Sequence, residues 1–429
     1  LEKVIVAELS DEPLVQKIED IFAAFGGILA ALPTKEQVFI KPNAGHFASY
    51  ACTSPQVLAA LLSYLRDNGY DRLRVMDSSR QGLFTRLVFK ALEYDTICKR
   101  FGAKPVYLDE RETVPIALDG ESEPVDIPRV VYEELIVRQG QNIYLSLPKL
   151  KTHSMTTVSL NIKGQQAFVR GTHRSRNHNY RLHHHLTDLY RLIQPDFSLI
   201  DGTQALVNGH CPPHTLQEKS VINTNVLIGG QDALAVDVVG SRVLGYETSE
   251  IAHLRLATEM ELGTGQLEDI QIIGDLSHFT QQYPHQMPGR LPDDIDIVEG
   301  KTRACQEGCA GGTKWILEVL HSDYGGTGNF SIVYGKGIDL AALQSLRGDI
   351  LVVGPCAVSE TETLLRQLYP HRHIYLIHEH INLGRLTAYL SKMMGIERPR
   401  LIPLSRLQTI WLSGQARLNR LAVKSTFPG

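Results

Sequence analysis

Apolar and polar positions fall into short alternating blocks along the first two thirds of the chain. Runs rich in branched residues at 4–7, 37–40, 72–76, 105–108, 143–147, 197–200, 226–228 and 270–273 predict strands, several of them ending in a polar turn. Helical patterns lie between them. Ser54 followed by Pro55 is a cap and first-turn pair, and Val57, Leu58, Leu61, Leu62 and Leu65 recur at helical spacing, which predicts a helix over 54–69. A longer helix is predicted over 85–101. Residues 233–244 predict a helix with no polar face, hence one buried on most sides. Strands joined through such helices run parallel, because the crossover is right-handed.

The pattern changes at 276–294, where Pro284, Pro288 and Pro292 stand among Gln, His and Gly without sustained periodicity, which reads as a linker or wrapping loop. Beyond it helices are expected over 312–320, 340–346 and 361–368, and strands over 330–334, 349–354 and 373–377. The last ~50 residues look helical and then irregular. The expected architecture is α/β in two domains, each with a mainly parallel sheet flanked by helices and a cleft between them. The divisions fall at 1–275, a linker at 276–296, and 297–429.

Composition adds exclusions. A chain of 429 residues with 43% hydrophobic and 21% charged residues is an ordinary globular protein. Its net charge of −4 argues against a nucleic-acid-coating surface, so no nucleic-acid partner is expected. No apolar run approaches the ~20 residues that cross a bilayer and no signal-peptide pattern opens the chain, so a cytoplasmic protein without a membrane partner is expected. Six cysteines are too few for a disulfide-built scaffold.

One segment departs from this average. Residues 143–185 hold six of the 17 histidines, seven of the 43 Lys and Arg residues and no acid. Such a cluster repels itself unless an anion, or acidic groups from elsewhere, sit within it. It opens with the apolar run 143–147, which delivers Lys149, Lys151 and His153 to a strand end, where ligands of α/β folds sit. Lys149, Lys151, Lys163, Arg170 and Arg174 are candidates to bind phosphate or carboxylate, and His153 to act as ligand or general base. Lys41 and Asn43 in one post-strand turn, and Ser78 and Arg80 in another, suggest loops converging on the same cleft. Neither turn is a P-loop or a dinucleotide fingerprint.

Other candidates keep more than one reading. If residues 178–185 were helical, His178 and His185 would share a face; His178 and His184 are the candidate metal ligands of this run, although an anion-binding loop also fits. Asp201 and Asp232 stand at strand ends, and Asp232 also suits an N-terminal cap. Asp237, just over one turn into an apolar helix, needs a partner if buried, and a Lys or Arg of the basic segment is expected to supply it. Cys305 and Cys309 precede a helix and Cys356 follows a strand. Three such thiols suit an iron–sulfur cluster with one open iron, a zinc with a water, a redox pair, or inert buried groups.

An ordered set of short motifs carries a resemblance. "KPNAG" at Lys41, "TSPQVLAALLSYLRDNG" at Thr53, "MDSS" at Met76, "LPKLKTH" at Leu147, "LNIKG" at Leu160, "IDGTQALVNG" at Ile200 and "GGQDALAVDVVGSRVLGY" at Gly229 together resemble the family of domain of unknown function 362, over about residues 38–250. Many of its members carry ferredoxin-like cysteine runs, which this chain lacks. More distantly the chain is similar to the lactate racemase family, in which a histidine and a lysine ten residues apart hold a nickel-pincer nucleotide. His153 and Lys163 have that spacing, while Ser78, Ser79 and Arg80 stand where that family has another histidine.

The leading expectation is thus a metalloenzyme acting on a small anionic ligand. An iron–sulfur cluster would sit on Cys305, Cys309 and Cys356, with an electron-transfer partner implied by the cluster. His153, Lys163 and Asp237 would then be the catalytic groups. The alternatives are a nickel-pincer-nucleotide enzyme of racemase or epimerase type, and a non-catalytic binding protein for a phosphorylated metabolite or nucleotide.

Overall fold

The computed structural model describes every residue except 34, 35, 122, 288 and 420–429, so Pro288 and the irregular end expected of the chain lie outside it. Thirteen strands matter for the site. In chain order they are β1 (Glu2–Glu8), β2 (Val38–Pro42), β3 (Leu73–Asp77), β4 (Lys104–Tyr107), β5 (Ile143–Leu147), β6 (Lys149–His153), β7 (Phe197–Leu206), β8 (Val226–Gly230) and β9 (Ile270–Ile273), then β10 (Ile295–Glu299), β11 (Phe330–Tyr334), β12 (Ile350–Val353) and β13 (Ile374–Ile377).

The large sheet runs β9-β1-β8-β7-β5-β2-β3-β4, with β6 pairing β7 beside that path. All of these pairings are parallel except those of β8, which is antiparallel to both neighbours. Helices cover both faces, and the period of two along each strand feeds both cores. Leu199 and Leu227 point into one apolar cluster, Ile200 and Ile228 into the other. The helix Pro55–Asp67 closes the first face, with Ser54 accepting the N–H groups of Gln56 and Val57 as predicted for its cap. The apolar helix Ala233–Val243 closes the second and is buried almost throughout.

β10 to β13 form a separate all-parallel sheet in sequential order. Its inner cluster joins Trp315, Ile316 and Leu386 to Met155, Leu206 and Cys211, so the loops of the large sheet and the second sheet share one core. Between β9 and β10 the described residues form no helix or strand. This stretch returns to the large sheet instead, where the Pro284 carbonyl accepts Asn208 N–H at 2.7 Å. The last helix, Arg406–Leu418, packs Ala416 into the first core.

Several expected elements are corrected. The helix predicted over 85–101 is two helices, Thr85–Ala91 and Tyr94–Arg100, because Glu93 adopts a left-handed backbone with φ 60°. The helix predicted at 340–346 is a single tight turn, Ala342–Ser345. Cys309 begins the long helix Cys309–Tyr324, and Cys356 lies in the first turn of Pro355–Leu368. Among the described residues no helix is long and apolar enough to cross a membrane.

Candidate functional site

β2 passes the chain to β3 on one side and has β5 on the other, so strand order reverses beside it. The crevice beyond the carboxyl ends of strands at such a point is where open α/β sheets bind ligands. A cavity of about 140 Å³ opens there, lined from the large sheet by Lys41, Asp77, Arg80, Lys151, His153 and Lys163, among others. Trp315, Ile381 and Leu383, which belong to the second sheet's elements, complete its wall.

Its electrostatics are one-sided. Five basic side chains line it (Lys41, Arg80, Lys151, Lys163 and Arg174) against a single carboxylate, Asp77. Asp77 pairs with Lys41 at 3.1 Å, both buried, and its two oxygens also accept the N–H groups of Ala44 and Ser78. That carboxylate therefore fixes the two post-strand turns to each other and neutralises one lysine. Arg174 is buried and held by backbone carbonyls alone, those of Val169, Ser78, Ser79 and Ala167. Lys151 donates to Asn43 Oδ1 at 3.0 Å and to the carbonyls of Ala51 and His210, and burial lowers its pKa.

Lys163 is different again. It is half-buried, and among the described residues its ammonium makes no hydrogen bond or ion pair. Burial first, then the charges of Lys151, Arg174 and Lys41, push it down to about 7. An amine with that pKa both takes and gives a proton at neutral pH. Neighbouring Gln166 is 4% exposed, and neither its Oε1 nor its Nε2 has a partner. A buried amide left unpaired at a cavity wall is a group awaiting a ligand or water.

The histidines are sorted by their backbone contacts. His153 Nδ1 accepts Met155 N–H at 3.1 Å and His46 Nδ1 accepts Ala48 N–H at 3.3 Å. Both rings are held neutral, well below the usual histidine range, chiefly by burial. A neutral ring that accepts on Nδ1 carries its proton on Nε2, so both present an N–H donor. His178 has the opposite tautomer, since its Nδ1 donates to the Glu307 carbonyl at 3.2 Å, and it is pushed down to about 3. His153 stacks on His210 with ring centres 4.2 Å apart, and His210 lies 4.4 Å from Trp315. The Arg80 guanidinium sits 5.4 Å from the Trp315 ring. Its Nε is unpartnered, and burial lowers its pKa to about 10.

Of the residues singled out in the sequence, Lys41, Asn43, Ser78, Arg80, Lys151, His153, Lys163, Arg174 and His178 line this one cavity. Others do not. Lys149 pairs with Asp201 at 3.2 Å, and Asp201 also accepts the N–H groups of Ser54 and Thr203. Arg170 pairs with Asp126, away from the cavity. Asp232 takes its simpler role and caps the helix Ala233–Val243. Asp237 has no Lys or Arg partner among the described residues. It accepts Asn161 N–H, Asn161 Nδ2 and Ile162 N–H at 2.7–2.9 Å, thereby fixing the start of the short helix Asn161–Gly164 that carries Lys163. His178 ends one helix while His184 is exposed on the next, so the two do not form a metal pair.

Cys305, Cys309 and Cys356 lie outside this cavity but near one another, each thiol close enough to be felt by another. Among the described residues the one group with three ligand atoms within 4.8 Å of one another is Glu8, Asp275 and His278, all exposed. Cys309 donates to the His380 carbonyl and is pushed up to about 12 by burial, with no cation to hold a thiolate. The residues that sequence reasoning missed are Gln166, His210, Trp315 and Ile381. His210 follows β7 in the kind of polar post-strand turn that revealed Lys41 and Ser78. Trp315 and Ile381 carry no local signal, since they reach the cavity from a second sheet.

No curated protein and no solved structure matches the chain. Residues 38–242, which supply the cavity wall from Lys41 to Cys211, match the model of the family described as domain of unknown function (DUF362), and this part of the chain belongs to that family.

Proposed function

We propose that the cavity is an active site for a small ligand bearing a phosphate or carboxylate, with Lys163 as the group that exchanges a proton with it. The supporting observation is the imbalance of five basic side chains and two N–H imidazoles over one already paired carboxylate. A buried excess of positive charge is costly unless an anion completes it. Lys151, Arg80 and the two imidazoles would hold the anion, and Gln166 would read a neutral polar group beside it. The test is calorimetric titration with inorganic phosphate of the wild type and of Lys151→Met. Removing one charge-assisted contact should weaken binding by about tenfold or more. Equal affinities, or no binding by the wild type, would remove the basis for this reading.

A nickel-nucleotide enzyme is the second reading, since His153 and Lys163 do face one cavity. The His153 tautomer speaks against it. With Nδ1 committed to Met155 N–H, Nε2 would have to lose its proton before it could ligate a metal. Cys305, Cys309 and Cys356 stand near one another but away from this cavity, and no chemistry is assigned through an iron–sulfur cluster on them.

A further inference from the structure

The helix Arg406–Leu418 is apolar on two opposite faces. Ser405 caps it, accepting Gln408 N–H while the Gln408 side chain accepts Ser405 N–H. One face, with Leu412 and Ala416, packs against the core of the large sheet together with Ile402. The other carries Leu407, Ile410, Trp411 and Leu418, which are 82%, 58%, 66% and 81% exposed. At 100° per residue these four fall within one stripe. Twelve large apolar side chains are exposed among the described residues, and this helix alone holds four of them. Single exposed apolar residues are ordinary, but a stripe that includes a tryptophan is not.

Charge identifies the occupant. From residue 398 to residue 429 the sequence has six Lys and Arg residues and no Asp or Glu, in a chain whose net charge is −4. Arg406 and Arg417 lie together at one edge of the apolar stripe, both exposed. A second copy of this chain would set arginines against arginines with no acid in the segment to pair them. Anionic phospholipid satisfies both features, taking Leu and Trp at the acyl boundary and Arg at the phosphates.

We infer that the outer face of the helix Arg406–Leu418 seats the protein on an anionic phospholipid surface. The contact is peripheral. No described helix can cross a membrane, and the run lengths that exclude a span say nothing against a helix lying in the interface plane. The expectation of no membrane partner is narrowed accordingly. This inference is independent of what the cavity binds.

The chain has two tryptophans, Trp315 at 3% exposure and Trp411 at 66%, so a shift in indole emission reports on this helix. Full-length protein should sediment with vesicles of phosphatidylcholine plus phosphatidylglycerol, with emission moving to the blue, and not with phosphatidylcholine alone. Trp411→Glu, and separately Arg406→Glu with Arg417→Glu, should each weaken that binding by about tenfold or more while leaving the thermal melt unchanged. Added salt should weaken it further. Equal binding to both vesicle types, or binding to neither, overturns the inference. So does a concentration-dependent dimer in light scattering that Trp411→Glu abolishes, which would assign the face to a second copy.

Discussion

His153 Nδ1 accepts the backbone N–H of Met155 at 3.1 Å, and this contact decides which nitrogen faces the cavity with a proton. The ring is a donor there, not a base. Nitrogen-detected NMR should show the Nε2–H tautomer unchanged as the pH falls from about 7 to about 5.5, because burial holds the ring neutral well below its usual range. His153→Ala should weaken phosphate binding by about tenfold, the value of one hydrogen bond to a charged group. A ring that titrates near its usual pKa would show that the cavity is wet enough to charge it, and the donor role would fall.

Lys163 makes the pH dependence of binding predictable in sign. Its pKa of about 7 lies below its ordinary value, so the amine is charged below pH 7 and neutral above. Sulfate stays dianionic throughout and isolates the protein's contribution. Its affinity should fall as the pH rises between about 6 and 8. Lys163→Met should bind sulfate weakly and without that slope. Lys163→Arg should bind it tightly at both ends, since guanidinium keeps its proton. Titration at several pH values separates these outcomes. A slope that persists in Lys163→Met would assign the titration to another group.

Much of this cavity was legible because its large-sheet walls are turns after strands. Branched runs buried on both faces mark β2 and β5, and the residues at and beyond their ends, Lys41 to His46 and Lys149 to His153, stand where strand ends present side chains. Lys149, Lys151 and His153 alternate onto one face of β6, yet only the latter two reach the cavity. Two residues advance the strand by about 6.6 Å, and Asp201 captures the nearer lysine. That partner is 52 residues away, so local sequence does not reveal it. Sequence distance hid Trp315 as well. The histidine run failed for another reason, since His178 caps one helix and His184 belongs to the next, and no periodicity marks that break. Glu93 hid similarly, because a glutamate in left-handed backbone carries no composition signal.

Asp237 tests whether the site is positioned from behind. It is fully buried, and burial pushes its pKa up to about 7 against three donors that favour the charged form. All three donors belong to Asn161 and Ile162, at the start of the helix that presents Lys163. Asp237→Asn would leave one oxygen for the donors and turn an amide N–H toward a backbone N–H. The loss should cost about 1–3 kcal/mol in urea unfolding. It should also weaken sulfate binding below pH 7, because Lys163 moves with its helix. The two effects are separable by a double-mutant cycle. If Asp237 acts on the ligand only through Lys163, then in a Lys163→Met background Asp237→Asn should still destabilise the fold but no longer change sulfate affinity. A further loss of affinity in that background would mean that Asp237 shapes the cavity by a second route.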